Sequence, residues 1–177
     1  MFVEDSIKTI TTTDLQYFND VDRKTGEYID YAIKEKYLKW DFLFIYFLGL
    51  DQGGHFLNSD NDELMKMKLD ELDDYVVKIY NDMSMKDENF IIIVTGDHGM
   101  TRHGSHGGSD RTETESAFLI SFNNKMFNEK FDNNFINQID ITPTILNLFG
   151  IDRTSDSIGI TYDFTFNFFE RSYMMNL

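Results

Sequence analysis

Three short apolar runs restrict what this chain can become: FLFIYFLGL (42–50), NFIIIVTG (89–96) and SAFLISF (116–122). Runs this continuous are expected of strands covered on both faces, as in a sheet flanked by helices. Helical patterns lie around them. Residues 16–38 carry one, interrupted by Gly26 and several β-branched residues. In residues 62–82, Met65, Leu69, Leu72, Val76 and Ile79 recur at spacings of three and four, and Ser59, Asp60 or Asn61 can cap the start. NQIDITPTILNLFG (137–150) reads as a turn into a short helix that starts around Pro143 and closes at Gly150. Strand and helix in alternation imply an α/β fold, a mainly parallel sheet with flanking helices. In such sheets, ligand sites lie beyond the carboxyl ends of the strands.

The chain has 177 residues, enough for one domain with a core, and no repeat or linker divides it. Its 31 acidic residues against 16 Lys and Arg give a net charge of −15, which argues against nucleic-acid binding. The same charge repels anionic substrates unless bound cations reverse the local sign. There is no cysteine, so imidazole and carboxylate are the strong metal ligands left. The longest apolar run has nine residues where a membrane span needs about twenty. The opening MFVEDSIKTITTTD lacks the basic and apolar regions of a signal peptide.

VTGDHGMTRHGSHGG (94–108) holds three of the four histidines, among five glycines. Consecutive side chains of a strand point to opposite faces, so Asp97 and His98 serve one site only where the backbone has left strand geometry. Gly96 and Gly99 permit that. Asp51 and His55 have the i, i+4 spacing of a helix face, but Gly53 and Gly54 between them favour a loop. His106, in GSHGG, sits on a segment able to fold back over the site. Three imidazoles and two carboxylates at two strand exits suit Zn²⁺, or Mn²⁺ in an oxygen-rich site. Five ligands exceed one four-coordinate catalytic site and point to two metals, the arrangement used in phosphoryl transfer. His103 reads as a surface or supporting residue. The acidic run of residues 60–74 reads as the solvated face of a helix rather than a calcium site.

These residues carry a resemblance. The chain resembles the GPI ethanolamine phosphate transferases, metal-dependent members of the alkaline phosphatase superfamily. WDFLFIYFLGLDQGGH (40–55) is similar to that family's strand and LGxDxxGH loop, and LMKMKLDELDDYVVKIY (64–80) to the helix that follows. GDHGMTRHGSHGGSD (96–110) resembles GDHGMxxxGxHGGxS, the most specific of the motifs. QIDITPTILNLFGIDRTSDSIG (138–159) and the acidic stretch TTDLQYFNDVDRKTGEYID (12–30) also match, so the likeness spans roughly residues 10–160. It implies an alkaline-phosphatase-like fold, with Asp51, His55 and His106 holding one zinc and Asp97 and His98 the other. It further implies transfer of phosphoethanolamine from phosphatidylethanolamine to a mannose of the GPI anchor precursor. The third-mannose and second-mannose types both fit. The reaction would run at the luminal face of the endoplasmic reticulum membrane, through a covalent threonine intermediate.

The departures shape the expectation. The family's N-terminal Asp ligand and nucleophilic Thr have no counterpart here, nor has its multi-span membrane region. Gln52 stands where members often carry His, and FLNS replaces a Gly-Pro. Residues 1–177 therefore read as a single partial domain, the C-terminal half of the catalytic domain, with the missing N-terminal half as its partner. The chain alone is expected to be inactive or nearly so. A different superfamily phosphodiesterase or phosphomutase, and a non-catalytic metal-binding remnant, are the alternative readings.

Overall fold

The computed structural model describes residues 18–34, 40–60, 62–86, 89–122 and 135–162. The aromatic-rich C-terminal stretch expected from residue 163 onward, and the ends of the first helical pattern at 16–17 and 35–38, lie outside them. The chain divides into two units, one made of residues 1–88 and 98–116 and the other of residues 89–97 and 117–177.

The first unit contains α1 (Phe18–Lys34), α2 (Gly49–Leu57), α3 (Glu63–Ser84) and the four-residue α4 (Arg111–Thr114). Along α1, i, i+4 pairs Arg23–Glu27 and Asp30–Lys34 support the exposed side. Val21, Ile29 and Ile33 are buried on the other side. Gly26 is tolerated because Tyr75 packs there: a Cβ at Gly26 would lie 2.3 Å from the Tyr75 hydroxyl. Helices α1, α2 and α3 pack on one another. Lys78 of α3 bridges Asp30 of α1 and Asp82 of its own helix.

Helix α3 starts at Asp62, not at the three residues before it; the Asp62 carboxylate accepts the Leu64 N–H at 2.9 Å. Its inward face also differs from the apolar stripe expected. Met65, Lys68 and Met83 are buried, while Leu69 is half exposed at 51%. The reason is electrostatic. Lys68 Nζ lies 2.9 Å from the fully buried Asp22 and 2.8 Å from Glu71, so the ion pairs draw position 68 inward and turn position 69 out. Burial alone would pull the Lys68 ammonium down, but Glu71 and Asp22 more than offset this and hold its pKa above the ordinary lysine value.

The run at 42–50 is not a strand. Residues 42–48 carry no ladder, and the chain turns into α2 at Gly49. Phe42, Phe44 and Tyr46 are exposed, while Leu43, Ile45 and Phe47 are half buried. One side is thus covered, with Phe47 stacked on Tyr75 at 5.3 Å, whereas the strand expectation required both.

In the second unit β1 (Ile91–Thr95) pairs with β2 (Phe118–Phe122), Ile93 opposite Ile120. The pair is antiparallel, and it is the whole sheet among the described residues, in place of the mainly parallel one expected. Apolar continuity reports burial but not direction. A parallel pair needs a crossover, usually helical, whereas residues 96–117 contain only α4.

Helix α5 (Gln138–Leu148) begins before Pro143, which lies inside it. Asp140, in its first turn, is buried and accepts the N–H of Asn137 at 3.1 Å, the reach-back half of a capping box. The same carboxylate takes the Ile160 N–H at 2.8 Å, and Thr144 Oγ1 takes that of Tyr162 at 3.1 Å, so residues 159–162 are tied across the helix. Gly159 has to be glycine: a Cβ there would lie 2.1 Å from the Ile139 carbonyl oxygen, the one that Pro143 leaves without a helical donor. At the far end Gly150 takes φ +66°, and Ile151 N→Leu146 O and Gly150 N→Asn147 O close a Schellman motif. Among the described residues no helix is long and apolar enough to cross a membrane.

Burial raises the Asp140 pKa, but the hydrogen bonds from Ile160 and Asn137 outweigh it and leave a net lowering. The stabilisation this carries is full above the ordinary carboxylate value of about 3.9 and is lost as pH falls through the lower folded value. Asp140→Asn should cost about 1–3 kcal/mol in urea unfolding near neutral pH. That gap should close in acid; a gap independent of pH would refute the anchoring role.

Candidate metal centre

Asp51 and His55 sit one turn apart on α2, so the helix face that Gly53 and Gly54 argued against does form. Glycine costs a helix about 1 kcal/mol relative to alanine, and here close packing offsets it. Gly53 and Gly54 are buried, and a Cβ at Gly54 would come within 2.2 Å of the Met100 sulfur. The helix ends at Asn58, which adopts the left-handed conformation at φ 49° and donates its N–H to the Gly54 carbonyl. Asparagine tolerates that conformation better than most residues. Asn58, within the divergent FLNS stretch, thereby supplies the stop.

The segment from His98 to Ser116 is held by its own backbone. Gly99 N–H donates to the Glu113 carbonyl and Thr101 N–H to that of Ser105, each at 2.9 Å. The Glu113 carboxylate accepts the Gly108 N–H at 3.0 Å, two residues from His106. Asp110 caps α4 through Thr112. Within the turn Gly104 takes φ +66°, and a Cβ there would lie 1.9 Å from the Gly54 carbonyl oxygen. Two glycines, one from each segment, therefore let the loop lie directly against α2.

This approach brings four side chains together. His106 Nε2 lies 3.0 Å from Asp51 Oδ1, His55 Nε2 3.4 Å and His98 Nε2 3.9 Å. His55 and His106 face each other Nε2 to Nε2 at 3.0 Å, and the rings of His98 and His106 stack with centroids 3.9 Å apart. His98 Nδ1 lies 2.8 Å from the Gly99 carbonyl. That contact assigns the proton to Nδ1 and turns the Nε2 lone pair toward Asp51. Asp51 Oδ1 itself is shut off from water and accepts no hydrogen bond, although His106 Nε2 lies 3.0 Å away. A buried carboxylate oxygen left in this state is costly without a cation.

One ligand atom each from Asp51, His98 and His106 falls within 4.8 Å of the others, and the His55 nitrogen lies against two of these groups. Around a tetrahedral zinc, with bonds of about 2.0–2.2 Å, neighbouring ligand atoms stand about 3.3 Å apart. The 3.0 and 3.4 Å from Asp51 Oδ1 to His106 and His55, and the 3.0 Å between those two imidazoles, lie near that value, so Asp51, His55 and His106 fit one divalent cation, with His98 farther off at 3.9 Å. Asp97 belongs to the second unit, where its carbonyl accepts the Gln138 side-chain N–H at 3.0 Å. His103 is exposed. Sequence spacing suggested candidate ligands but not that His98 would stand beside Asp51, since that depends on how the loop folds back. It also missed the Gly54–Gly104 contact and the role of Glu113.

The sulfatase family model matches residues 15–151, and the chain belongs to the sulfatase family, metal-dependent proteins of the alkaline-phosphatase-like superfamily. Among curated relatives, it is 32% identical over 155 residues to GPI ethanolamine phosphate transferase 2 of Debaryomyces hansenii, a match covering 81% of this chain and 17% of the relative. The protein of the same name from Saccharomyces cerevisiae is 32% identical over 165 residues, covering 81% and 20%. The human GPI ethanolamine phosphate transferase 2, catalytic subunit, is 28% identical over 149 residues, covering 80% and 15%. The chain thus spans a fifth or less of the length of these relatives. No solved structure matches it.

The close approach at Gly104 yields a ranking. Gly104→Ala forces a Cβ onto a left-handed backbone, about 1–2 kcal/mol, and into the Gly54 carbonyl. Gly54→Ala meets only the flexible end of Met100 and gains helix propensity. Urea unfolding should show Gly104→Ala to be the more destabilising, and the reverse order would mean that the loop does not lie against α2.

Proposed function

We propose that this chain is part of a transferase that moves phosphoethanolamine from phosphatidylethanolamine onto a mannose of the GPI anchor precursor. The observation that carries the reading is the convergence of His55, His98 and His106 on the buried, donorless Asp51 Oδ1. The names of the relatives supply the reaction class. In this reading residues 1–177 are one partial catalytic domain. The phospholipid donor and GPI glycolipid acceptor are its substrates, at the luminal face of the endoplasmic reticulum membrane and together with the N-terminal half of the domain.

Asp51, His55 and His106 hold one zinc, and Asp97 and His98 hold a second. The position of His98 beside Asp51, not remote from it, supports two neighbouring ions. When bound, such ions neutralise phosphate charge and stabilise the entering and leaving oxygens. A chain of net charge −15 needs that neutralisation to accept a phosphodiester. The protein's own residues keep the ligands aimed. Gly99 fixes the His98 tautomer, Glu113 holds the backbone beside His106, and the helix spacing of Asp51 and His55 sets their mutual distance. No residue here is assigned the nucleophile, so the polypeptide alone is inactive.

Zinc analysis of the purified chain tests both statements. One tightly held zinc per chain is expected. His106→Ala should weaken it by more than the ~10–100-fold typical of an outer supporting residue, and His103→Ala should leave it unchanged. Bis(p-nitrophenyl) phosphate should not be cleaved. A folded chain without zinc would refute the site, and zinc-dependent cleavage abolished by Asp97→Ala would refute the inactivity.

A further inference from the structure

Asp22 is fully buried on α1, far in sequence from the candidate ligands. Its carboxylate does an unusual job. Oδ1 accepts the N–H of Leu48 at 3.0 Å, and the Gly49 N–H lies 3.3 Å from Oδ1 and 3.1 Å from Oδ2. These are the first amides of α2. A helix start leaves several N–H groups without partners, and normally the side chain at the N-cap takes one. Here the N-cap is Leu48, which has no such group, and no side-chain cap is present. The cap comes instead from another helix, 26 residues earlier. A carboxylate there also meets the positive end of the helix dipole.

The contact is tight as well as polar. A Cβ at Gly49 would lie 2.2 Å from Asp22 Oδ2 and 2.3 Å from Lys68 Cε, so the chain passes between the two charged groups with no room to slide. Lys68 Nζ, held by Glu71 at 2.8 Å, aims the Asp22 carboxylate from the other side at 2.9 Å. Asp51 follows Gly49 by two residues and His55 by six, on the same short helix.

We infer that Asp22, aimed by Lys68, is a positioning residue: it sets where α2 starts and thereby where Asp51 and His55 stand against His98 and His106. Metal sites require ligand distances within about 0.2 Å, and a helix start free to shift by part of a turn cannot meet that. Stability alone is a poor account of the pair, since a buried ion pair replaced by apolar residues of similar volume is often neutral or better. The consequence for metal affinity rests on the metal reading above; the consequence for imidazole placement does not.

The test compares two double variants of the full chain. Asp22→Leu with Lys68→Met removes the charges and the acceptor together, in a form expected to fold. Asp22→Asn with Lys68→Met keeps a carbonyl oxygen for Leu48 and Gly49. Proton NOEs between the His55 and His106 rings report placement without metal, and Co²⁺ titration reports affinity. The parent and the Asn/Met variant should show the ring contacts. The Leu/Met variant should lose them and bind Co²⁺ about 10–100-fold more weakly, the range for supporting residues. Ile33→Val, a core change, should lower stability yet keep both readouts. The inference is overturned if the parent lacks the ring contacts, if the Leu/Met variant keeps them, or if the Asn/Met variant fails to restore them. A parent that shows the contacts but does not bind Co²⁺ refutes the metal reading instead, and the ring contacts still decide the role of Asp22.

Discussion

The backbone approach between Gly54 and Gly104 is the contact on which the centre depends. The Gly104 Cα sits so near the Gly54 carbonyl that any side chain would collide with it. Because that space is empty, a short helix bearing Asp51 and His55 and a turn leading to His106 share one surface. The other features of the first unit serve this approach. Met100 fills the space over Gly54, the hydrogen bonds among Thr101, Gly104 and Ser105 shape the turn, and Glu113 ties down the backbone past His106. Each interaction is modest, about 0.5–1.5 kcal/mol for a hydrogen bond. Together they restrict a glycine-rich segment that would otherwise sample many conformations.

Charge gives the second constraint. In a chain with nearly twice as many acids as bases, several exposed carboxylates on the helices are answered by nearby lysines or arginines. Two carboxylates are treated differently. Asp22 is buried against a lysine and two backbone amides, and Asp140 against one amide side chain and two backbone amides. Both are satisfied inside the protein. Asp51 Oδ1, buried with imidazole nitrogens around it and no donor, is not. That contrast sets Asp51 apart from the two structural carboxylates as a candidate cation ligand, and it agrees with membership of a metal-dependent superfamily.

Much of the local structure was legible from residue pattern. The helices at 18–34 and 63–84 and the strands at 91–95 and 118–122 lie where periodicity and apolar continuity put them, while the third helix is in place but begins five residues before Pro143, at Gln138. Failures occurred where a partner elsewhere overrode the pattern. Gly53 and Gly54 argue for a loop, but the space Gly54 leaves is used by Met100, and the helix survives. Leu69 belonged to the apolar stripe, but Lys68 is pulled inward by Asp22. The stripe Asp22, Gly26, Ile29, Ile33 has helical spacing, so an acid on a buried face was a readable warning. The run at 42–50 reads as covered on both faces, yet Phe44 is 76% exposed. Apolarity records how well a residue tolerates burial, not whether a neighbour arrives.

By itself, the sequence determined the chemistry available: no thiols, four imidazoles, and acids placed beside two of them in glycine-flanked segments. It also determined the helix end at Gly150, because a left-handed stop depends on a few adjacent residues. Only the tertiary structure decided which candidate ligands stand together, that Asp51 Oδ1 lacks a hydrogen-bond donor, and that the strands at 91–95 and 118–122 run antiparallel. These follow from contacts between segments tens of residues apart. Such contacts depend on the space a glycine leaves and the direction a chain takes, and neither is encoded in the spacing of residues along one element.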